Sequence, residues 1–271
     1  MNRIARLSSR ALIAVDGPDW RSFLQGLITQ DVETVAPAEA RFGALLTPQG
    51  RLLWDLFVVG RADGCWLDVA ADARETILQR LAIYRLRAKV TLAADDAPAF
   101  AAFGANAPPG PDWLADPRLA DLGWRGYGVA AAADATEADY EAHRLALGVP
   151  GPADWGSDRT YPIEANFDLL GGIDFKKGCF VGQETTSRMK RRGQVKSRML
   201  PIVFDGPRPA PGAEVLVGEL RAGEALSAAD GRAMALLRLD RIEAGGLAVD
   251  GRPVRVERPA WFVQALGDKA A

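Results

Sequence analysis

Histidine and cysteine are nearly absent from this 271-residue chain, which has one of the first and two of the second. Cys65 and Cys179, with no CxxC pair, exclude a disulfide scaffold, a structural zinc site and a four-cysteine cluster held by this chain alone. The lone His143 sits on an expected helix, YEAHRLALG, beside Tyr140 and Leu147. A packing role accounts for it better than Ser-His-Asp or Cys-His catalysis. Walker A, GxGxxG and HExxH patterns are missing, which removes the common nucleotide-binding and metalloprotease readings. Long apolar runs are missing too: ALIAV, at 11–15, is too short for a signal-peptide core, and nothing approaches the ~20 residues of a membrane span. An excess of charge of one sign is also lacking, since the formal net charge is −2; any basic function must be local. So few thiols fit a reducing compartment, and a cytoplasmic address with no membrane partner is the expectation.

What is present is an ordinary globular composition, 48% hydrophobic and 25% charged, enough for a sizeable core in one large or two smaller domains. ALIAV reads as a buried strand, with Asp16 capping a helix whose apolar face is Trp20, Phe23, Leu24, Leu27 and Ile28. From Arg41 to Ala70 the pattern changes to an antiparallel meander: RFGALLT, a turn at Pro48-Gln49-Gly50, RLLWDLFVV, a turn at Asp63-Gly64, then CWLDVA. Asp72 and Glu75 have the spacing of a capping box opening a helix with Ile77, Leu78, Leu81 and Tyr84 on one face. KVTLAA reads as a strand. Residues 93–139 are rich in Ala, Pro and Gly and read as a variable segment with a loop at 106–112. A helix over 136–147 ends at Gly148. Beyond Arg198, short β-like pieces between Gly and Pro turns suggest a small β-barrel or sandwich.

Three features break the local rules. Alternation in RLLWDLFVV puts Trp54, Leu56 and Val58 on one face and Leu53, Asp55, Phe57 and Val59 on the other, so Asp55 is a carboxylate in a strand that looks buried on both sides. It is either satisfied by a buried Arg or backbone donors, or turned toward a ligand. Cys179 lies between Gly178 and Gly182 and follows Lys176 and Lys177, surroundings that suit a reactive thiol and equally a small buried hydrophobe in a turn; Cys65, in a strand, reads as the latter. From Lys176 to Arg198 eight basic residues face one acid, Glu184. Such a segment suits an anion, such as a phosphate, a polycarboxylate, a nucleic acid or an acidic partner. The absence of interleaved aromatics argues against nucleic acid.

The octapeptide KGCFVGQE, 177–184, resembles the KGC(Y/F)xGQE signature of the YgfZ family, folate-binding proteins related to the T-protein aminomethyltransferase of the glycine cleavage system and implicated in iron-sulfur cluster assembly or repair. FLQGLITQDV, LLTPQGRLLWDLFVV, YEAHRLALGVPGP, YPIEANFDLLGGIDFKKGCF and GEALSAADGRAMALLRL resemble further segments of that family, covering about residues 10–262 except 95–135. The resemblance implies an α+β fold: an aminomethyltransferase-like, folate-binding body of two interleaved subdomains around a central hole over 1–198, then a small C-terminal β-barrel over 199–271. It implies tetrahydrofolate or a derivative as cofactor, contacted by Asp55, Glu164, Lys177, Gln183, Glu184 and Arg188. Glu164 would read the pterin, since a carboxylate can accept two parallel N–H bonds from a 2-amino-4-oxo ring. Cys179, with Asp55 as a second candidate, would carry any chemistry. No metal is expected to be bound by this chain alone, and the expected partners are iron-sulfur enzymes or cluster assembly proteins. The leading expectation is thus an accessory factor for iron-sulfur enzymes. The alternative is a folate-dependent one-carbon transferase, and a weaker third reading makes 176–198 an RNA-binding loop.

Overall fold

The computed structural model describes residues 2–193, 195–229, 231–243 and 245–267. The expected meander forms as Ala40–Leu46, Leu52–Gly60 and Gly64–Ala70, paired antiparallel. Arg10–Asp16 pairs with Gly64–Ala70 on one side and Thr91–Asp95 on the other, completing a five-stranded sheet. Alternation along Leu52–Gly60 feeds two cores. Leu56 and Val58 pack with Trp20, Leu24 and Ile28, whereas Phe57 and Val59 join a second cluster containing Phe103, Phe167 and Phe180. Each such side chain, fully buried, contributes about 1.5–3 kcal/mol of transfer free energy.

The segment 93–139 that reads as variable supplies most of a second sheet, in the order Arg3–Arg6, Ala99–Phe103, Trp124–Tyr127, Trp113–Ala115. Its strands have three to five residues, too short to display a period, and the buried Ala101 and Ala102 give little hydropathy signal despite lying wholly in the core.

Two helix starts differ from the sequence pattern. Asp16 does not cap the first helix: it remains in its strand and pairs with Arg61, and the helix Trp20–Gln25 starts after Asp19. Its apolar face runs on past the helix end, where Leu27 and Ile28 are still buried. The Asp72–Glu75 capping box does not form either, because residues 71–73 make a 3-10 turn and the helix Arg74–Arg85 begins without a side-chain cap. The capping box appears instead on Glu137–Ala146, where Thr136 and Asp139 bond reciprocally. There the ring of the lone His143 packs 5.1 Å from that of Phe103.

The C-terminal β-pieces close into a six-stranded barrel, ordered Ser197–Phe204, Arg232–Arg238, Leu220–Ala229, Glu214–Val217, Leu247–Val249, Arg252–Val256. Closure leaves no free edge in this antiparallel sheet. Leu200, Ile202, Ala233, Ala235 and Leu237 fill its interior. Arg198, on the first barrel strand, reaches into the body: its guanidinium donates to the Ile163 carbonyl, Asn166 Oδ1 and both Asp168 carboxylate oxygens at 2.8–3.0 Å.

Candidate functional site

The segment carrying Cys179 is tied down on both sides of the thiol. Upstream, Asp174 Oδ1 accepts from the backbone N–H groups of Lys176 and Lys177 at 2.7 and 3.2 Å. The Lys177 ammonium then donates to the carbonyls of Gln25, Ile28 and Gln30 at 2.8, 2.6 and 2.6 Å. These are the carbonyls at and just beyond the end of the Trp20–Gln25 helix, where partners for backbone oxygen are needed and a cation is favourable. With three donors and three carbonyls, Lys177 is committed to the chain itself. Burial pulls it down to about 8, against Asp31, Asp174 and Glu33, which raise it.

Downstream, Phe180 is buried in the core shared by the two sheets, and the Val181 N–H donates to the Gly26 carbonyl at 3.1 Å. Gly182 follows at φ +82°, and a Cβ there would lie 2.6 Å from the Thr47 carbonyl oxygen and 2.9 Å from the Gly50 Cα. Gly50, of the Pro48-Gln49-Gly50 turn, is itself at φ +83° and would meet Thr185 and the Gly182 carbonyl oxygen at 2.9 Å. Only glycine suits both positions, since each needs a left-handed backbone and a close approach. The signature loop is therefore seated on the tip of the first hairpin. Between its two anchors Cys179 is exposed, while Cys65 is buried in its strand with its thiol pushed far up by burial.

Gln183 opens the helix Gln183–Arg192, with Glu184 in its first turn and Lys190, Arg191 and Arg192 in its last, the charge order that its dipole favours. This helix walls a cleft of about 1110 Å³ with Pro48, Tyr84, Phe175 and Phe180. The Lys190 ammonium lies 3.5 Å from the centroid of the Phe175 ring, a cation–π contact. Gln183 and Glu184 thus share one cleft, next to the loop of Lys177 and Cys179. Arg188 is exposed on the same helix and does not line it.

Asp55 and Glu164 lie elsewhere. Asp55 accepts from Arg10 Nη1 at 3.0 Å, and Arg10 Nε bonds Asp68 Oδ1 at 2.6 Å. Arg125 joins Asp68 to Asp116 at 2.9 and 3.0 Å, and Arg118 completes the set on Asp116 at 2.7 Å. Tyr127 donates to Asp68 and Arg118 donates to Tyr140, both at 2.9 Å. The Phe57 ring sits among three of these guanidiniums, with Arg125 nearest at 3.8 Å. Three arginines and three aspartates balance. Burial pushes Asp116 up, but Arg118 and Arg125 outweigh it and hold the carboxyl below the usual range. The cavity at Asp55, bounded also by Arg10, Phe57 and Arg118, is about 30 Å³, room for a water or two.

Glu164 sits at the junction with the barrel. Its Oε2 accepts from the Tyr161 N–H at 2.9 Å and its backbone carbonyl accepts from Met199 at 2.8 Å. Burial raises its carboxyl, against the Tyr161 bond and Arg51, which lower it.

Of the residues that the resemblance assigns to folate, Gln183 and Glu184 therefore line the large cleft, whereas Asp55 borders a separate space of about 30 Å³ and Glu164 lies at the barrel junction. Sequence reasoning missed Arg10, Asp68, Arg118 and Arg125. Asp68 carried a usable signal: in CWLDVA it interrupts an apolar strand as Asp55 does, and its register opposite Phe57 puts both carboxylates on one face.

Comparison with known proteins agrees with this architecture at the level of fold. The glycine cleavage system aminomethyltransferase T of Bartonella henselae superposes with a TM-score of 0.76 over 97% of this chain and 87% of its own, at 19% identity. Residues 196–264 match the family described as CAF17, C-terminal beta-barrel domain. The fold is thus aminomethyltransferase-like with a C-terminal barrel. Among curated proteins, the human iron-sulfur cluster assembly factor IBA57, mitochondrial, is 31% identical over 263 residues, covering 81% of this chain and 74% of the human one. The Phaeosphaeria nodorum homolog is 32% identical over 96% of this chain and 80% of its own. The chain belongs to the IBA57 family, which narrows the YgfZ resemblance to a related but differently named group. The relatives also correct the expected cytoplasmic address, since they are named as mitochondrial proteins. Sparse cysteine and the lack of a long apolar run describe a protein of any reducing compartment and do not choose among them.

Proposed function

We propose that this protein acts in iron-sulfur cluster assembly, with the Cys179 thiol meeting the cluster or its carrier. The observation that carries the reading is an exposed thiol on a loop pinned by Lys177 and Phe180, in a chain whose relatives are named cluster assembly factors. Iron in such clusters takes thiolate ligands, commonly four per cluster. One exposed cysteine supplies one position, so the cluster is cargo handled jointly with a partner that brings the remaining ligands. In this reading residues 1–198 carry the site and 199–271 brace it, with Arg198 fixing the barrel against the Ile163–Asp168 turn.

Two finer expectations find less support. Tetrahydrofolate draws support from the aminomethyltransferase-like fold, but its expected contacts are spread between the large cleft of Gln183 and Glu184, the ion network at Asp55 and the barrel junction at Glu164. One-carbon transfer at Asp55 would require the carboxylate that Arg10 occupies. The test is complementation: in cells lacking the native copy, Cys179→Ser is expected to leave iron-sulfur enzymes as inactive as an empty vector does, with the variant accumulating and melting like wild type. Full enzyme activity with Cys179→Ser would sink the proposal.

A further inference from the structure

We propose that the cleft beside the signature loop is the docking groove for a partner protein that presents an acidic segment carrying apolar side chains. The inference rests on the reading above, in which Cys179 works together with a partner, and names the chemistry of that partner.

Three of the six large apolar side chains exposed among the described residues fall within 83–86. Ile83 is 73% and Leu86 88% exposed, with Tyr84, a wall of the cleft, between them. Leu86 ends the Arg74–Arg85 helix at φ +44°. A leucine in the left-handed region that also leaves its side chain in water is doubly unfavourable, where a glycine would be neither strained nor apolar. Covering by a partner accounts for keeping it. The charge around this apolar edge is mainly positive. Lys190 and Arg191 line the cleft opposite, Arg188 and Arg192 are exposed on the same helix, and Arg85 and Arg87 flank Leu86, with Glu184 the acid among the lining residues. In a chain of net charge −2, this concentration is complementary to an acidic surface.

The groove fits a protein better than other anions. The exposed side chains beside it, Ile83 and Leu86, are aliphatic, and of the rings that line it the Phe175 face is covered by the Lys190 ammonium and Phe180 is buried, which leaves Tyr84 where a stacking platform needs several rings. A lipid surface would cover Ile83 and Leu86 alone, whereas a protein segment can also place side chains in the open cleft of about 1110 Å³ beside them. The cleft is also continuous with Phe180, next to Cys179 in the chain, so a segment lying in it would bring its protein up to the thiol.

The test is fluorescence anisotropy of the full chain with a labelled synthetic helical peptide bearing Leu and Phe on one face and Glu elsewhere. Saturable binding is expected, weakened by salt. Leu86→Gly is expected to melt no lower than wild type, since it relieves the backbone, yet to lose about tenfold or more in affinity. Lys190→Glu with Arg191→Glu should lose the Glu peptide and gain its Lys-substituted counterpart. Cys179→Ser should bind the peptide as wild type does, so failure of the groove and failure of the cysteine reading are separable. Absence of peptide binding, or equal binding by wild type and both groove variants, overturns the proposal. So does tighter binding to single-stranded RNA or to phosphatidylserine vesicles than to the peptide.

Discussion

Burial holds the Glu164 carboxyl above the ordinary carboxylate range, with the Tyr161 N–H and the charge of Arg51 pulling the other way. A carboxyl raised by folding binds its proton more tightly in the folded than in the unfolded chain. Its contribution is therefore largest in acid and is lost as pH rises through the folded value. Glu164→Gln keeps an acceptor for Tyr161 and removes the buried charge. It is expected to raise the urea midpoint slightly at about pH 7 and to change nothing near pH 3.5, where the glutamate is neutral in both states; a lower midpoint at neutral pH would mean that Glu164 is paired with a cation in solution. At this scale the sequence was informative about kind and silent about partners. Asp55 stood out as a carboxylate in an apolar strand, but its candidate satisfiers, a buried Arg or a ligand, look the same until Arg10 is brought beside it.

Within KGCFVGQE the two glycines have different duties. Gly182 stands at positive φ against the hairpin tip, whereas a Cβ at Gly178 meets nothing within 4 Å. Gly182→Ala is expected to cost about 2 kcal/mol or more and to loosen the start of the Gln183–Arg192 helix, while Gly178→Ala leaves the melting temperature nearly unchanged. Calorimetry on the pair checks both, and equal losses would show that the loop is not seated on the hairpin. The Glu137–Ala146 helix was legible because one face of it is buried, and the meander over 40–70 because its apolar runs are divided by turns at 48–50 and 63–64. Helix starts were less so: Asp72 and Glu75 have capping-box spacing, yet the chain arrives there from a strand through a 3-10 turn that sets the cap elsewhere.

For the molecule as a whole, the buried ion network stitches the five-stranded sheet, through Arg10, Asp55 and Asp68, to the segment 116–127 of the second sheet. Arg125→Met leaves both Asp68 and Asp116 short of a partner and is expected to destabilise the fold by about 3–5 kcal/mol, read by chemical denaturation. Asp116, held low in the folded chain, contributes stability that is present at neutral pH and lost as pH falls below about 3.8 toward the folded value. The loss caused by Asp116→Asn should accordingly be large near pH 7 and shrink in acid, and a loss independent of pH would point to packing instead of charge.

By itself the sequence determined the strands and helices that have a clear period, the two-sided burial of Leu52–Gly60, the β character of the C-terminal part and the unusual composition of the cysteine loop. Those properties are local: they depend on the side chain's own chemistry and on neighbours two to four positions away. Tertiary structure decided which residues became a site. It spent Lys177 on three backbone carbonyls and Asp55 on Arg10, put Gln183 and Glu184 in a cleft with Tyr84 of a distant helix, and left Cys179 exposed between two anchors. Partners 45 to 152 positions apart in the chain supply those bonds, and only closure of the fold brings them within hydrogen-bond distance.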